Sequence, residues 1–131
     1  MRFDILTLFP QMFEAVLGDS IIGRAREKGI IEVNCVDIRD FTENKHRKVD
    51  DYPYSGGGGM LMQAQPVYDA YMSVANGLSY KPLTVYMSPQ GKVFDQKTAC
   101  NLSENEHIIL LCGHYEGIDQ RFLDECVDEE I

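Results

Sequence analysis

His107-Ile108-Ile109-Leu110-Leu111-Cys112-Gly113-His114-Tyr115-Glu116-Gly117-Ile118 is the stretch that decides the fold. Four aliphatic residues in a row leave no polar face for water, which suits a strand covered on both sides. The glycines at 113 and 117 predict a turn, and a helix is predicted over 118–126. A doubly covered strand that passes through a turn into a helix is the unit from which α/β sandwiches on parallel sheets are built.

The same alternation runs through the rest of the chain. Residues 1–8 read as a strand, and Pro10 suits the first turn of a helix carrying Met12, Phe13, Val16 and Leu17, stopped at Gly18. Asp19 or Ser20 caps a second helix with an apolar stripe of Ile21, Ile22 and Ala25, ended by Gly29. Residues 30–38 are rich in β-branched side chains and predict a second strand. Periodicity then disappears over 39–59, a length of polar, glycine-containing chain that in a compact domain is functional or disordered. Residues 60–62 form a short extended piece, Pro66 opens a helix with Val67, Tyr71 and Val74 on one face, and residues 83–87 are a clear strand. A turn at 88–91 leads to a helix over 94–102, and residues 127–131 begin an element of undecided type. The predicted fold is α/β, a mainly parallel sheet flanked by helices.

Composition excludes several classes. A 131-residue chain, 44% hydrophobic and 25% charged, fits one globular unit or a piece of one. No apolar run reaches the roughly 18 residues a membrane span needs, and the start is too short and acidic for a signal peptide, so a cytoplasmic protein without membrane attachment is expected. Cys35, Cys100, Cys112 and Cys126 are far apart and predict buried reduced thiols, and neither they nor the three histidines have metal-site spacing. The net charge of −9 opposes bulk attachment to nucleic acid. Charge is uneven, however: residues 39–48 hold four bases against two acids, whereas residues 113–131 hold seven acids against Arg121.

Three loops carry residue types suited to chemistry. Ser88-Pro89-Gln90-Gly91 follows Val85-Tyr86-Met87, and a proline turn at a strand end can present amides and carbonyls to a planar ligand, or can simply join strand to helix. In Gly113-His114-Tyr115-Glu116-Gly117 the glycines allow close backbone approach, and Glu116 either meets a ligand's ribose or amine or serves the following helix as a cap. The third is Asp50-Asp51-Tyr52-Pro53-Tyr54-Ser55 with Gly56 to Gly59 and Met60, after Lys45-His46-Arg47-Lys48. It is neither a phosphate loop nor a dinucleotide fingerprint. Its tyrosines beside bases suit stacking and phosphate contacts with nucleic acid, against the alternative of a flexible linker.

Together with Phe3-Asp4-Ile5-Leu6-Thr7-Leu8-Phe9-Pro10, these three loops, in this order and spacing, resemble the bacterial tRNA (guanine-N1)-methyltransferases of the SPOUT class. The likeness runs the length of the chain. Ser55 stands where the family commonly has glycine, and His114 where many members have arginine.

The resemblance implies a SPOUT trefoil-knot domain spanning 1–131, with the knot incomplete in this chain, and a C-terminal tRNA-binding domain that is not part of it. It implies S-adenosylmethionine as methyl donor, a homodimer with active sites at the subunit interface, and as substrate the guanosine 3′ of a tRNA anticodon. Tyr86, Met87, Ser88 and Pro89 would line the adenine pocket. Gly113, Tyr115, Glu116 and Gly117 would face ribose and methionine, and Gly59 would close over them. The family's base is an aspartate in the linker to the C-terminal domain, so this chain alone is expected to be inactive. Glu116 is then the catalytic candidate, aiding proton removal or a magnesium ion. Another SPOUT RNA methyltransferase, or a ligand-binding or dimerisation module without chemistry, are the alternatives.

Overall fold

The computed structural model describes residues 1–54 and 56–131; Ser55, singled out above, lies outside the described residues. In chain order the elements are β1 (Arg2–Thr7), α1 (Pro10–Leu17), α2 (Ser20–Glu27), β2 (Glu32–Asp37), a short 3-10 turn (Ile38–Phe41), β3 (Asp50–Asp51), β4 (Leu61–Met62), α3 (Ala64–Ala75), β5 (Leu83–Met87), α4 (Gln96–Ser103), β6 (His107–Cys112), α5 (Gln120–Cys126) and β7 (Glu129–Glu130). Five strands pair in parallel in the order β2-β1-β6-β5-β7, and β3 and β4 form a separate antiparallel pair. The α/β class and the mainly parallel sheet are as the sequence predicts.

β6 lies at the centre, and its unbroken aliphatic run serves both faces. Ile109 and Leu111 join a cluster with Leu6, Val67, Tyr86 and Phe122, beneath α3 and α5, while Ile108 joins Val85 and Ile131 on the other face. Each such side chain contributes about 1.5–3 kcal/mol when fully buried, so this strand anchors both layers.

Asp4 is the one fully buried carboxylate among the described residues. It accepts hydrogen bonds from Arg2 Nε (2.7 Å) and Asn34 Nδ2 (2.8 Å) and meets His107 Nε2 at 2.7 Å, while His107 Nδ1 meets the Tyr80 hydroxyl at 3.0 Å. This network ties β1, β2 and β6 at the edge where the strands begin. Burial pushes the Asp4 carboxyl up, but the hydrogen bonds from Arg2, Asn34 and His107 together outweigh it and hold the group below its ordinary value.

Several local expectations are revised. Residues 39–59 are partly regular, because Asp50 and Asp51 find Met62 and Leu61 as strand partners and the 3-10 turn buries Ile38. The undecided tail becomes β7, paired through Val85↔Glu129 and Tyr86↔Glu130. The apolar stripes of α1 and α2 do not enter the core: Met12, Val16 and Ile21 are exposed, and Gly23 is the buried residue of the two helices. Gly23 is needed there, since a Cβ would lie 2.3 Å from the Gly18 carbonyl oxygen. Of the four free thiols Cys126 is buried and Cys35 and Cys112 partly so, but Cys100, on the outer turn of α4, is exposed.

Candidate functional site

Parallel pairing of β5 with β6 puts Met87 beside Cys112, so the two loops that leave these strands emerge side by side at the carboxyl edge of the sheet. The first is a tight turn closed by Gly91 N donating to the Ser88 carbonyl (3.2 Å), with Gln90 N donating to Ser88 Oγ (3.2 Å) and Pro89 setting the corner. β7 braces it: Ser88 N donates to Ile131 O, and Ile131 N to Tyr86 O. A Cβ at Gly91 would lie 2.5 Å from Ile131 N, which explains the glycine.

The second loop is held by the glycine-rich segment. Glu116 N donates to Met60 O (3.0 Å), Met62 N to Gly117 O (2.9 Å) and Asp119 N to Met62 O (3.0 Å). Inside the turn Tyr115 has φ +60° and Gly117 φ +133°, both in the left-handed region. For Tyr115 that conformation costs roughly 1–3 kcal/mol, and residues held in this way cluster at functional sites.

Between the two loops lies a cleft of about 290 Å³. Tyr86, Ser88, Pro89, Glu116 and Gly117 of the predicted set line it together. Gly59 (φ +92°) packs against the Glu116 side chain, and Gly113 lies under the Tyr86 ring, where a Cβ would come within 2.9 Å of Cε2. Two predicted residues are elsewhere. Met87, the last residue of β5, lines an apolar groove on the other face of the sheet with Phe3, Phe94 and Ile131. Tyr115 does not line the cleft; its ring packs edge-on to His114, which packs edge-on to Phe9.

Sequence reasoning passed over Gln90, Gln120 and Glu130, whose polar side chains also line the cleft, and Leu61 and Ile118, which form its apolar wall. Gln90 lies within a quoted turn and was within reach. Glu130 was not, because only pairing of β7 to β5 brings it in. Burial raises the Tyr86 phenol above its ordinary value, with the Glu130 charge adding to the effect, so its hydroxyl stays neutral and able to donate. Among the described residues no three His, Cys, Asp or Glu side chains converge as a metal site.

Beyond the cleft, Arg121 at the start of α5 is gripped by Asp119 through Nε (2.9 Å) and Nη2 (2.7 Å), and Nη2 also donates to the Tyr54 hydroxyl (3.3 Å). This pairing holds the Asp119 carboxyl below its ordinary value. The basic segment at 45–48 is less available than its sequence suggests, since Arg47 pairs with Asp37 and Asp40.

The chain is a parallel α/β sheet with two adjacent carboxyl-edge turns, one of them braced by backbone bonds to Met60 and Met62, an architecture it shares with the SPOUT methyltransferases. The model of the family tRNA (Guanine-1)-methyltransferase TrmD matches residues 1–131, and the chain belongs to that family. It is 59% identical over 131 residues to a tRNA (guanine-N(1)-)-methyltransferase of Ruminiclostridium cellulolyticum, covering 100% of this chain and 56% of that protein. With the tRNA (guanine-N(1)-)-methyltransferase of Clostridioides difficile it shares 53% identity over 132 residues, covering 100% of this chain and 57% of the relative. The crystal structure of tRNA (m1G37) methyltransferase from Aquifex aeolicus superposes with a TM-score of 0.90 at 37% identity, over 100% of this chain and 58% of that one. The chain thus spans about half the length of the relatives it matches.

Proposed function

We propose that this chain is the S-adenosylmethionine-binding part of a cytoplasmic, homodimeric enzyme that methylates N1 of the guanosine 3′ of a tRNA anticodon. The observation that carries the reading is the single cleft shared by the Ser88-Pro89 turn and the Tyr86–Glu116–Gly117 wall in a chain of this family. The residues fit the cofactor's chemistry: a neutral phenol and the side-chain amide of Gln90 suit an adenine edge, and the Glu116 carboxylate suits a ribose hydroxyl or an ammonium group. When bound, S-adenosylmethionine supplies a methyl group on a positively charged sulfur.

The chain's own residues then bind and orient. Gly59 and Gly113 leave room against Glu116 and Tyr86, and the backbone bonds from Glu116, Met62 and Asp119 fix the loop in position. Guanine N1 carries a proton that must leave as the nitrogen attacks, so a carboxylate within hydrogen-bond reach, directly or through water, is required. Glu116 fills that role here, or prepares it for a base supplied from outside these residues. The exposed apolar side chains of α1 and α2 support the homodimer.

Calorimetric titration of S-adenosylmethionine tests the reading. Saturable binding that is weakened in Glu116→Gln is expected, and no heat with the wild-type chain or with a form extended through the length of its relatives would overturn it.

A further inference from the structure

The aromatic loop is the feature that the cleft does not absorb. Tyr52 and Tyr54 are 75% and 90% exposed, far more than large rings retain when they serve only packing. With Pro53, Gln63, Asp119 and Arg121 they line a second pocket of about 470 Å³. Leu61 of β4 borders both this pocket and the cofactor cleft, so the two sites adjoin across one strand.

The chemistry of this pocket is planar and nearly charge-balanced. Arg121 Cζ sits 5.8 Å from the Tyr54 ring centroid, and Asp119 fixes the guanidinium through two of its nitrogens. Its positive charge is matched at close range by that carboxylate, and Asp51 adds a second negative group to the lining. A phosphate would meet no net positive charge there. A nucleobase would meet two exposed rings and a held guanidinium plane for stacking, with Asp51 and Gln63 beside it as hydrogen-bonding groups.

We propose that Tyr52, Tyr54 and Arg121 form a stacking subsite for an unpaired nucleobase of the RNA substrate, next to the base that enters the cleft. That the ligand is RNA rests on the function proposed above; that it is a base and not a phosphate rests on the pocket alone. The arrangement also gives a use to the one base in the acidic stretch of residues 113–131, Arg121, which anchors the loop tyrosine to α5.

The test is a fluorescence titration of a short unpaired RNA carrying 2-aminopurine, whose emission is quenched on stacking. Saturable quenching with a shallow salt dependence is expected. Tyr54→Ala and Arg121→Ala should each weaken binding about tenfold or more, while Tyr54→Phe, which keeps the ring, stays close to wild type. Tyr68→Ala on α3 controls for loss of an exposed tyrosine and should have no effect. Absence of quenching, binding unchanged in Tyr54→Ala, or a steep fall of affinity with salt would each overturn the subsite. S-adenosylmethionine calorimetry on the same variants separates the two readings: retained cofactor heat with lost quenching in Tyr54→Ala supports a distinct base subsite. Missing cofactor heat in the wild type would count against the function, and the quenching would still decide the subsite.

Discussion

Gly59 packs directly against the side chain of Glu116: a Cβ placed on Gly59 would lie 2.4 Å from Glu116 Cγ and 3.0 Å from Oε1. The Glu116 side chain therefore occupies space that only a residue without a side chain leaves open.

Gly59→Ala should push the Glu116 side chain off its present rotamer and strain a backbone at φ +92°. A loss of about 1–3 kcal/mol in folding stability is expected, with cofactor affinity falling more than in Glu116→Gln, because the carboxylate is misplaced as well as the loop. Urea unfolding and cofactor calorimetry check the two parts; unchanged affinity would separate Gly59 from the site.

Gly113→Ala tests the opposite wall. Its Cβ would meet the Tyr86 ring at 2.9 Å and the hydroxyl at 3.0 Å, displacing a ring that is packed into the core beneath α3 and α5. The expected cost is about 2 kcal/mol, with a change in tyrosine near-ultraviolet circular dichroism. A variant with wild-type stability and spectrum would show that Tyr86 has room to move.

Asp4 gives a pH dependence with a definite sign. Its carboxyl is held below the ordinary 3.8 in the folded chain, so the stability it contributes is fully present above that value and is lost as pH falls through the depressed one. Asp4→Asn should cost about 3 kcal/mol at neutral pH by leaving Arg2 and His107 without their shared charged partner. The variant's stability should fall less steeply than the wild type's below about pH 4. Parallel denaturation curves across the acid range make the comparison.

Thiol chemistry should be selective. Burial, with Cys35 nearby, pushes the Cys112 thiol up to about 11, whereas Cys100 is exposed on α4. Alkylation near pH 8 should modify Cys100 at least about tenfold faster than Cys112, because the thiolate is the reacting form. Mass spectrometry of the labelled peptides reads the order directly.

The α/β class was legible in the run Ile108 to Leu111 because a strand without a polar face admits few environments. At the Ser88-Pro89 turn and the glycines at 113 and 117 local chemistry left a ligand loop and a plain turn or cap both open, and only the family resemblance gathered them into one site. Alternation along β5 separates the two neighbours: the side chains of Tyr86 and Met87 face opposite sides of the sheet, so only that of Tyr86 turns into the cleft. Helix periodicity misled at α1 and α2, since an apolar stripe states that a face wants cover and not what covers it. The partner of Tyr54 was out of reach altogether, because Arg121 is remote in the chain and only the docking of β4 on the second loop unites them.

The pairing of β1 with β6 has a consequence for synthesis. Arg2 pairs with His107 and Leu6 with Leu111, so β1 finds its inner neighbour only about a hundred residues after it is itself synthesised. Until then β1 has an open edge, and Asp4 lacks one of the groups that make its burial tolerable. The inner part of the sheet therefore assembles only after residue 107 has emerged, and the nascent chain is most prone to misassociate before then.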